Sequence, residues 1–334
     1  MKRFRPVAAL TAVCFCLLLC ACGASRSASR ESVSLWVTEG DTLAGPLESL
    51  LAEYNSDGRH VPVSLRTLPD EESLAALEGV RPDLLLCSEE LSRELAQRGL
   101  LRERDGRAFY PLGARVQLFC TVPGAAIPED LESLCRAAAD YGRTRRLPFF
   151  TADSFGALLD ALRLQSGLDE AEAYNLLAES AFRHGMLLTE LPAAAAVESG
   201  ALPCAVVDSA RLPGLELGGC SLLPLPGFED GDYPADLRCL ALCAREGRDL
   251  QAVSAFLAWL FDGPRARDLA LAGGLAPLTD CETPAAPGPL NDVLTALAAR
   301  GSFSSAAPVQ GRREAAAREA ELRDAMAHLL DPGD

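Results

Sequence analysis

Residues 83–87, Asp-Leu-Leu-Leu-Cys, form an apolar run too short for an ordinary helix, the mark of a strand buried on both faces. The run sits in an alternating series. Val33-Ser-Leu-Trp-Val37 alternates as a strand, and Leu43, Leu47, Leu50, Leu51 and Tyr54 then share one helical face. Val61, Val63 and Leu65 alternate as a second strand, Glu71 to Leu77 reads as a short helix, and Ser88 opens a helix that Gly99 closes. The order βαβαβα predicts an α/β fold, with mostly parallel sheets and helices on both faces.

A second α/β stretch follows a strand from Arg115 to Val122. Helices are expected at Pro128–Tyr141, Phe155–Gln165, Asp169–Arg183 and around Ala193–Ser199, with strands at Leu147–Thr151, Cys204–Val207 and Ser221–Leu225. Pro226 to Pro234 reads as a loop and Leu237 to Ala244 as a strand. Helices at Leu250–Phe261 and Pro264–Leu271 come next, then a Pro- and Gly-rich linker over Thr279–Pro289 and helices at Leu290–Ala299 and Glu314–Leu330. A chain of 334 residues has the length of one large domain or two ordinary ones.

The N-terminus reads as an export signal. Lys2, Arg3 and Arg5 precede an apolar run from Val7 to Leu19, too short to span a bilayer of about 30 Å. The run ends in Leu19-Cys20-Ala21-Cys22-Gly23, which resembles the bacterial lipobox. That resemblance implies removal of residues 1–21 and lipidation of Cys22, with 22–32 as a flexible tether on the extracytoplasmic face of the cell membrane. The anchor is then the expected contact with the membrane.

Forty-seven Asp and Glu against 31 Lys and Arg give a formal charge of -16, and no basic patch stands out, so nucleic-acid binding is not expected. Of the 12 cysteines, four precede residue 23. Cys87, Cys120, Cys204, Cys239 and Cys243 lie in apolar strand-like runs and read as buried thiols. Cys239 and Cys243 share one strand face without a second pair or His nearby, so no metal site is expected. Patterns such as GxSxG, HExxH, GxGxxG and the P-loop are absent, and the expectation is a protein that is not an enzyme and carries no cofactor.

Several ordered segments resemble the extracellular solute-binding proteins of bacterial ABC importers, family 1-like and of the lipoprotein type. They are Leu35-Trp-Val-Thr38, Ala52-Glu-Tyr-Asn55, Arg81-Pro-Asp-Leu-Leu-Leu-Cys-Ser88 and Leu95-Ala-Gln-Arg-Gly-Leu-Leu101. Tyr110-Pro-Leu-Gly113 looks like a crossing between lobes. Glu198 to Val207, Leu223-Pro-Leu-Pro226, Ala252 to Leu260 and Gly274-Leu-Ala-Pro-Leu278 complete the series. The resemblance implies a two-lobed periplasmic-binding-protein-like fold of type II with a hinge. Residues 33–120 plus 238–283 would form lobe 1, and 121–237 plus 284–330 lobe 2. It also implies a monomer that captures a small solute, a carbohydrate in the first instance, and delivers it to ABC permease subunits.

Interdomain clefts and the carboxyl ends of parallel strands are where ligands usually bind. The expected ligand contacts are therefore Trp36, Thr38 and Glu39 after the first strand, and Ser88 and Glu89 after the third. Ser88 also reads as a helix cap, and Trp36 equally as a core residue. Arg115 precedes the crossing strand and can hold a carboxylate or phosphate bidentately. Phe150, Asp153 and Asp208 follow strands of the second lobe, and Tyr233 and Asp236 flank the return strand. Sugar sites favour aromatic platforms, and the chain has only 2 Trp and 5 Tyr. Two other readings remain open: a surface lipoprotein of the same fold without a transport role, and a hydrolase built on paired carboxylates.

Overall fold

The computed structural model describes residues 32–68, 81–188, 191–228, 232–244, 250–279 and 285–305, together with 317, 320, 321 and 324. The expected signal segment and Cys22, the helix expected over 71–77 and Cys281 lie outside the described residues. So does the tether up to residue 31. Of the helix expected over 314–330, the four described residues Ala317, Ala320, Glu321 and Asp324 are helical.

The chain opens with β1 (Val33–Thr38), α1 (Ala44–Ser56), β2 (Val63–Leu68), β3 (Leu84–Ser88) and α2 (Glu89–Gln97). A long strand follows, β4 (Phe109–Thr121), then α3 (Leu131–Arg145), β5 (Phe150–Ala152), α4 (Phe155–Ser166), α5 (Glu170–Phe182) and β6 (Met186–Leu187). Next are α6 (Ala193–Glu198), β7 (Cys204–Asp208), a 3-10 turn (Ser209–Arg211), β8 (Ser221–Pro224) and β9 (Tyr233–Leu242). The described elements end with α7 (Gln251–Phe261), α8 (Arg265–Ala272), β10 (Ala276–Pro277), α9 (Pro289–Arg300) and β11 (Phe303–Ser305).

The strands run in the order β2-β1-β3-β9-β4-β7-β5-β6, with β8 and β10 also pairing β4 and β11 pairing β9. At either end the pairing is parallel, as the βαβ pattern requires: β1 with β2 and β3, β5 with β6 and β7. In the middle it is antiparallel. β9 lies between β3 and β4 and runs against both, and β4 runs against β7 and β8.

One strand joins the two ends. Residues 109–116 of β4 pair with β9, and residues 117–121 pair with β7. The register slips between Pro111 and Gly113, a bulge at a Pro that has no amide hydrogen to give. From Leu112 to Thr121 every residue is buried except Arg115, so one guanidinium leaves an otherwise apolar strand at the place where it changes partners.

Burial follows the sheet faces. Leu35, Val37, Leu84 and Leu86 pack under α1, α7 and α8 against Leu47, Phe256, Leu260 and Leu269. On the opposite face Trp36, Leu85, Cys87 and Cys243 pack under α2 against Leu91 and Leu95. A separate core forms around Phe119, Phe150, Phe155 and Val206, closed by α3 to α6 and by Leu294 and Leu297 of α9. Helix starts are set locally: Ser154 caps α4, and Asp169 with Glu172 forms a capping box on α5. The seven described cysteines are free, and all but Cys220 are buried.

Candidate functional site

Two strand ends and two central strands converge on a polar cavity of about 380 Å³. After β1 the chain turns through Glu39-Gly40-Asp41-Thr42 into α1, and Thr38 to Thr42 form one wall. The turn is tied locally. Asp41 Oδ1 accepts from the Leu43 amide at 2.9 Å, and Thr42 Oγ1 donates to the Gly273 carbonyl at 2.9 Å. Ala210 and Arg211 of the 3-10 turn after β7 face this wall, with Leu275 beside them. Arg115 of β4 and Asp236 and Arg238 of β9 line the floor.

Each arginine of the cavity is held by an aspartate. Arg115 Nε donates to both carboxylate oxygens of Asp208, at 3.0 and 2.8 Å, and Nη2 adds a third, shorter bond. Burial lowers the Arg115 pKa, but the hydrogen bonds and charge of Asp208, with Asp236 behind, outweigh it and hold the group above its usual value. Arg238 forms a tight pair with Asp41, and Arg211 Nη1 lies 3.4 Å from Asp153. The three aspartates are almost fully buried. All three carry structure as well: besides the bond from Leu43 to Asp41, Asp153 accepts from the amides of Ala193 and Asp208, both at 2.9 Å, and Asp208 accepts from the Ala210 amide at 3.0 Å.

The two sides of the cavity also touch behind it. Gly274, in the turn between α8 and β10, has φ +73, and a Cβ there would lie 2.3 Å from the Ser209 carbonyl. Ser209 Oγ in turn accepts from the Val116 amide at 3.1 Å. The 3-10 turn is thus pinned between β4 and the α8–β10 turn.

Of the residues expected at the site from the sequence, Thr38, Glu39, Arg115 and Asp236 line the cavity. Asp208 and Asp153 stand directly behind Arg115 and Arg211. Five others lie elsewhere. Trp36 is 5% exposed in the core beneath α2, because residue 36 points to the opposite face from Leu35 and Val37, and Arg66 lies 5.0 Å over its ring. Ser88 is the buried N-cap of α2 and accepts from the Leu91 amide at 3.3 Å. Glu89, one residue into that helix, pairs with Arg93 at 2.9 Å, a surface i,i+4 contact. Phe150 is in the second core. The Tyr233 hydroxyl donates to the Gln117 carbonyl at 2.6 Å and accepts from the Leu225 amide at 2.8 Å, a brace between strands that burial keeps protonated.

The sequence reading missed Asp41, Arg211 and Arg238. Asp41 follows a strand end as Glu39 does, and Arg238 alternates with Asp236, so both carried a usable signal. A larger cavity of about 840 Å³ lies over the start of β4, between Arg104, Tyr110, Leu257 and Phe261. None of the loops that follow β1, β3, β5 or β7 reaches it, and it is lined largely by apolar groups. Among the described residues no helix is long and apolar enough to cross a membrane.

No protein-family model and no curated protein matches the sequence. Solved structures do. The cyclic alpha-maltosyl-1,6-maltose binding protein of Arthrobacter globiformis superposes with a TM-score of 0.63 at 14% identity, over 89% of this chain and 93% of that one. UgpB of Mycobacterium tuberculosis, in complex with glycerophosphocholine, gives 0.63 at 13% identity, over 90% and 98%. Iron-bound HitA of Pseudomonas aeruginosa gives 0.56 at 15%, over 87% and 99%. These proteins bind unlike solutes, and at such identities the likeness is one of architecture. The chain has the two-lobed type II fold of the bacterial solute-binding proteins that its sequence resembles.

Proposed function

We propose that this chain is a lipid-anchored solute-binding protein that captures a small polar solute between its lobes and presents it to an ABC permease. The observation that carries the reading is the charged cavity. It takes one wall from the β1–α1 turn, the other from the turn after β7, and its floor from β4 and β9. A solute touching both walls favours the conformation in which they are close, by its differential affinity for that state. On this reading residues 33–120 with 238–283 and 121–237 with 284–330 are the moving lobes. Residues 1–21 are a removed signal, Cys22 carries the lipid, and 22–32 tether the body outside the membrane. The protein works as a monomer and catalyses nothing.

The site residues on this reading are Thr38, Glu39, Arg115 and Asp236, with Asp208 orienting Arg115. Arginine donors paired with carboxylate acceptors suit a hydroxylated solute such as a carbohydrate. The test is a thermal-shift screen of the purified full chain against sugars, polyols, amino acids, polyamines and anions. A solute at a hundredfold excess over its dissociation constant adds about 2.7 kcal/mol, a shift of a few degrees. A flat response across the panel overturns solute capture and leaves a surface lipoprotein of this fold.

A further inference from the structure

The charges that line the cavity do not all answer one another. Arg238 pairs tightly with Asp41, and Arg115 holds Asp208 while standing opposite Asp236 in the β4–β9 register. Two lining groups keep bonding capacity. Glu39 is exposed in the β1–α1 turn, and its carboxylate has no hydrogen bond or ion pair among the described residues. Arg211 is exposed in the 3-10 turn, and of the five N–H groups of a guanidinium it brings one to Asp153, at 3.4 Å.

These two groups stand on opposite walls, Glu39 on the one that follows β1 and Arg211 on the one that follows β7. On the solute-binding reading above, on which this inference rests, the walls belong to different lobes and lose water as they close on a solute. A charge taken from water is costly unless an opposite charge meets it. A hydroxyl can hydrogen-bond to either group but brings no counter-charge. A solute with a single charge answers one wall and leaves the other.

Shape and lining narrow the solute further. No aromatic ring lines the cavity, and Trp36, Phe150 and Tyr233 are all held in the cores, so the apolar face of a sugar finds nothing to stack on. The volume of about 380 Å³ lies toward the lower end of the range for small-molecule cavities, about 300–1,000 Å³. We infer that the solute is a small zwitterion, with its cationic group on Glu39 and its anionic group, a carboxylate or a phosphate, on Arg211.

The test is calorimetric titration of the full chain. Glycine, β-alanine, 4-aminobutyrate and 6-aminohexanoate vary the distance between the two charges, and the common α-amino acids and phosphoethanolamine vary the rest. Each is set against the matched acid and the matched amine, with maltose and ribitol as neutral probes. One zwitterion is expected to bind at least about tenfold more tightly than its matched acid, its matched amine and both neutral probes. Glu39→Gln and Arg211→Gln should each weaken it by about ten- to a hundredfold, the worth of a hydrogen bond to a charged group, and Arg211→Lys should recover part of the loss. A neutral or singly charged probe as the best binder overturns the zwitterion and leaves solute capture standing. If both glutamine variants weaken neutral and zwitterionic probes alike, Glu39 and Arg211 bind each other on closure, which overturns their assignment as ligand contacts. No response to any probe, with none in the wider screen, overturns both readings.

Discussion

The Arg115 guanidinium holds both carboxylate oxygens of Asp208, 93 residues further along the chain, and so ties the exposed break in β4 to the end of β7. Asp208 is 1% exposed, and the only other hydrogen bond it accepts among the described residues comes from the Ala210 amide. Arg115→Met leaves a buried carboxylate unpaired and is expected to cost about 2 kcal/mol in urea denaturation. The double variant R115M/D208N should recover much of the loss. A single variant as stable as the wild type would show that solvent already screens the pair.

Gly274 meets the Ser209 carbonyl at a distance no Cβ tolerates, and its φ is positive. Gly274→Ala should therefore cost well above the ~1–2 kcal/mol of the left-handed backbone alone. Gly263 is the control, with φ +85 and open space around it. Gly263→Ala should show only the backbone cost in the same melting experiment.

Trp36 packs beneath α2 and away from the cavity. Trp36→Ala is expected to destabilise the protein by about 3–5 kcal/mol, the usual cost of emptying a large core site. Trp36→Phe should keep the wild-type affinity for any solute found in the screen. A loss of binding in W36F without loss of stability would return the indole to the site.

Burial pushes the thiol of Cys135 up to about 12 from an ordinary value of 9.0, and Cys204 likewise to about 12. A raised folded-state value means that the unfolded chain releases these protons first. The stability they confer is complete below about pH 9 and is lost as the pH rises through about 12. At pH 10.5 each contributes on the order of 2 kcal/mol of loss relative to pH 7. Cys135→Ala should flatten the pH dependence of urea denaturation over that interval. Both thiols should resist a disulfide reagent at pH 8 until the protein is unfolded.

Local patterns made much of the fold legible. The run Leu84-Leu-Leu-Cys87 is buried throughout as β3, and Asp169 opens α5 through the capping box its spacing with Glu172 allows. What local pattern missed depends on partners far away. β6, β10 and β11 are two or three residues long and exist through pairing with β5, β4 and β9. β9 begins at Tyr233, inside a stretch whose Pro and Gly read as a loop, because β4 and β11 supply its hydrogen bonds. The site divides the same way. Strand ends pointed to Thr38, Glu39 and Asp208, whereas the pairing of Arg238 with Asp41 joins residues 197 apart and leaves no local trace.

The place of β9 also sets the order in which the molecule can be finished. β3 and β4 are neighbours in sequence but not in the sheet, since β9 lies between them. A chain emerging from its N-terminus carries two unpaired edges, one on β3 and one on β4, until residues 233–242 arrive to join them. Pairings of such long sequence separation form slowly. A sheet that stays open until most of its length has been made keeps the early product extended and loosely structured.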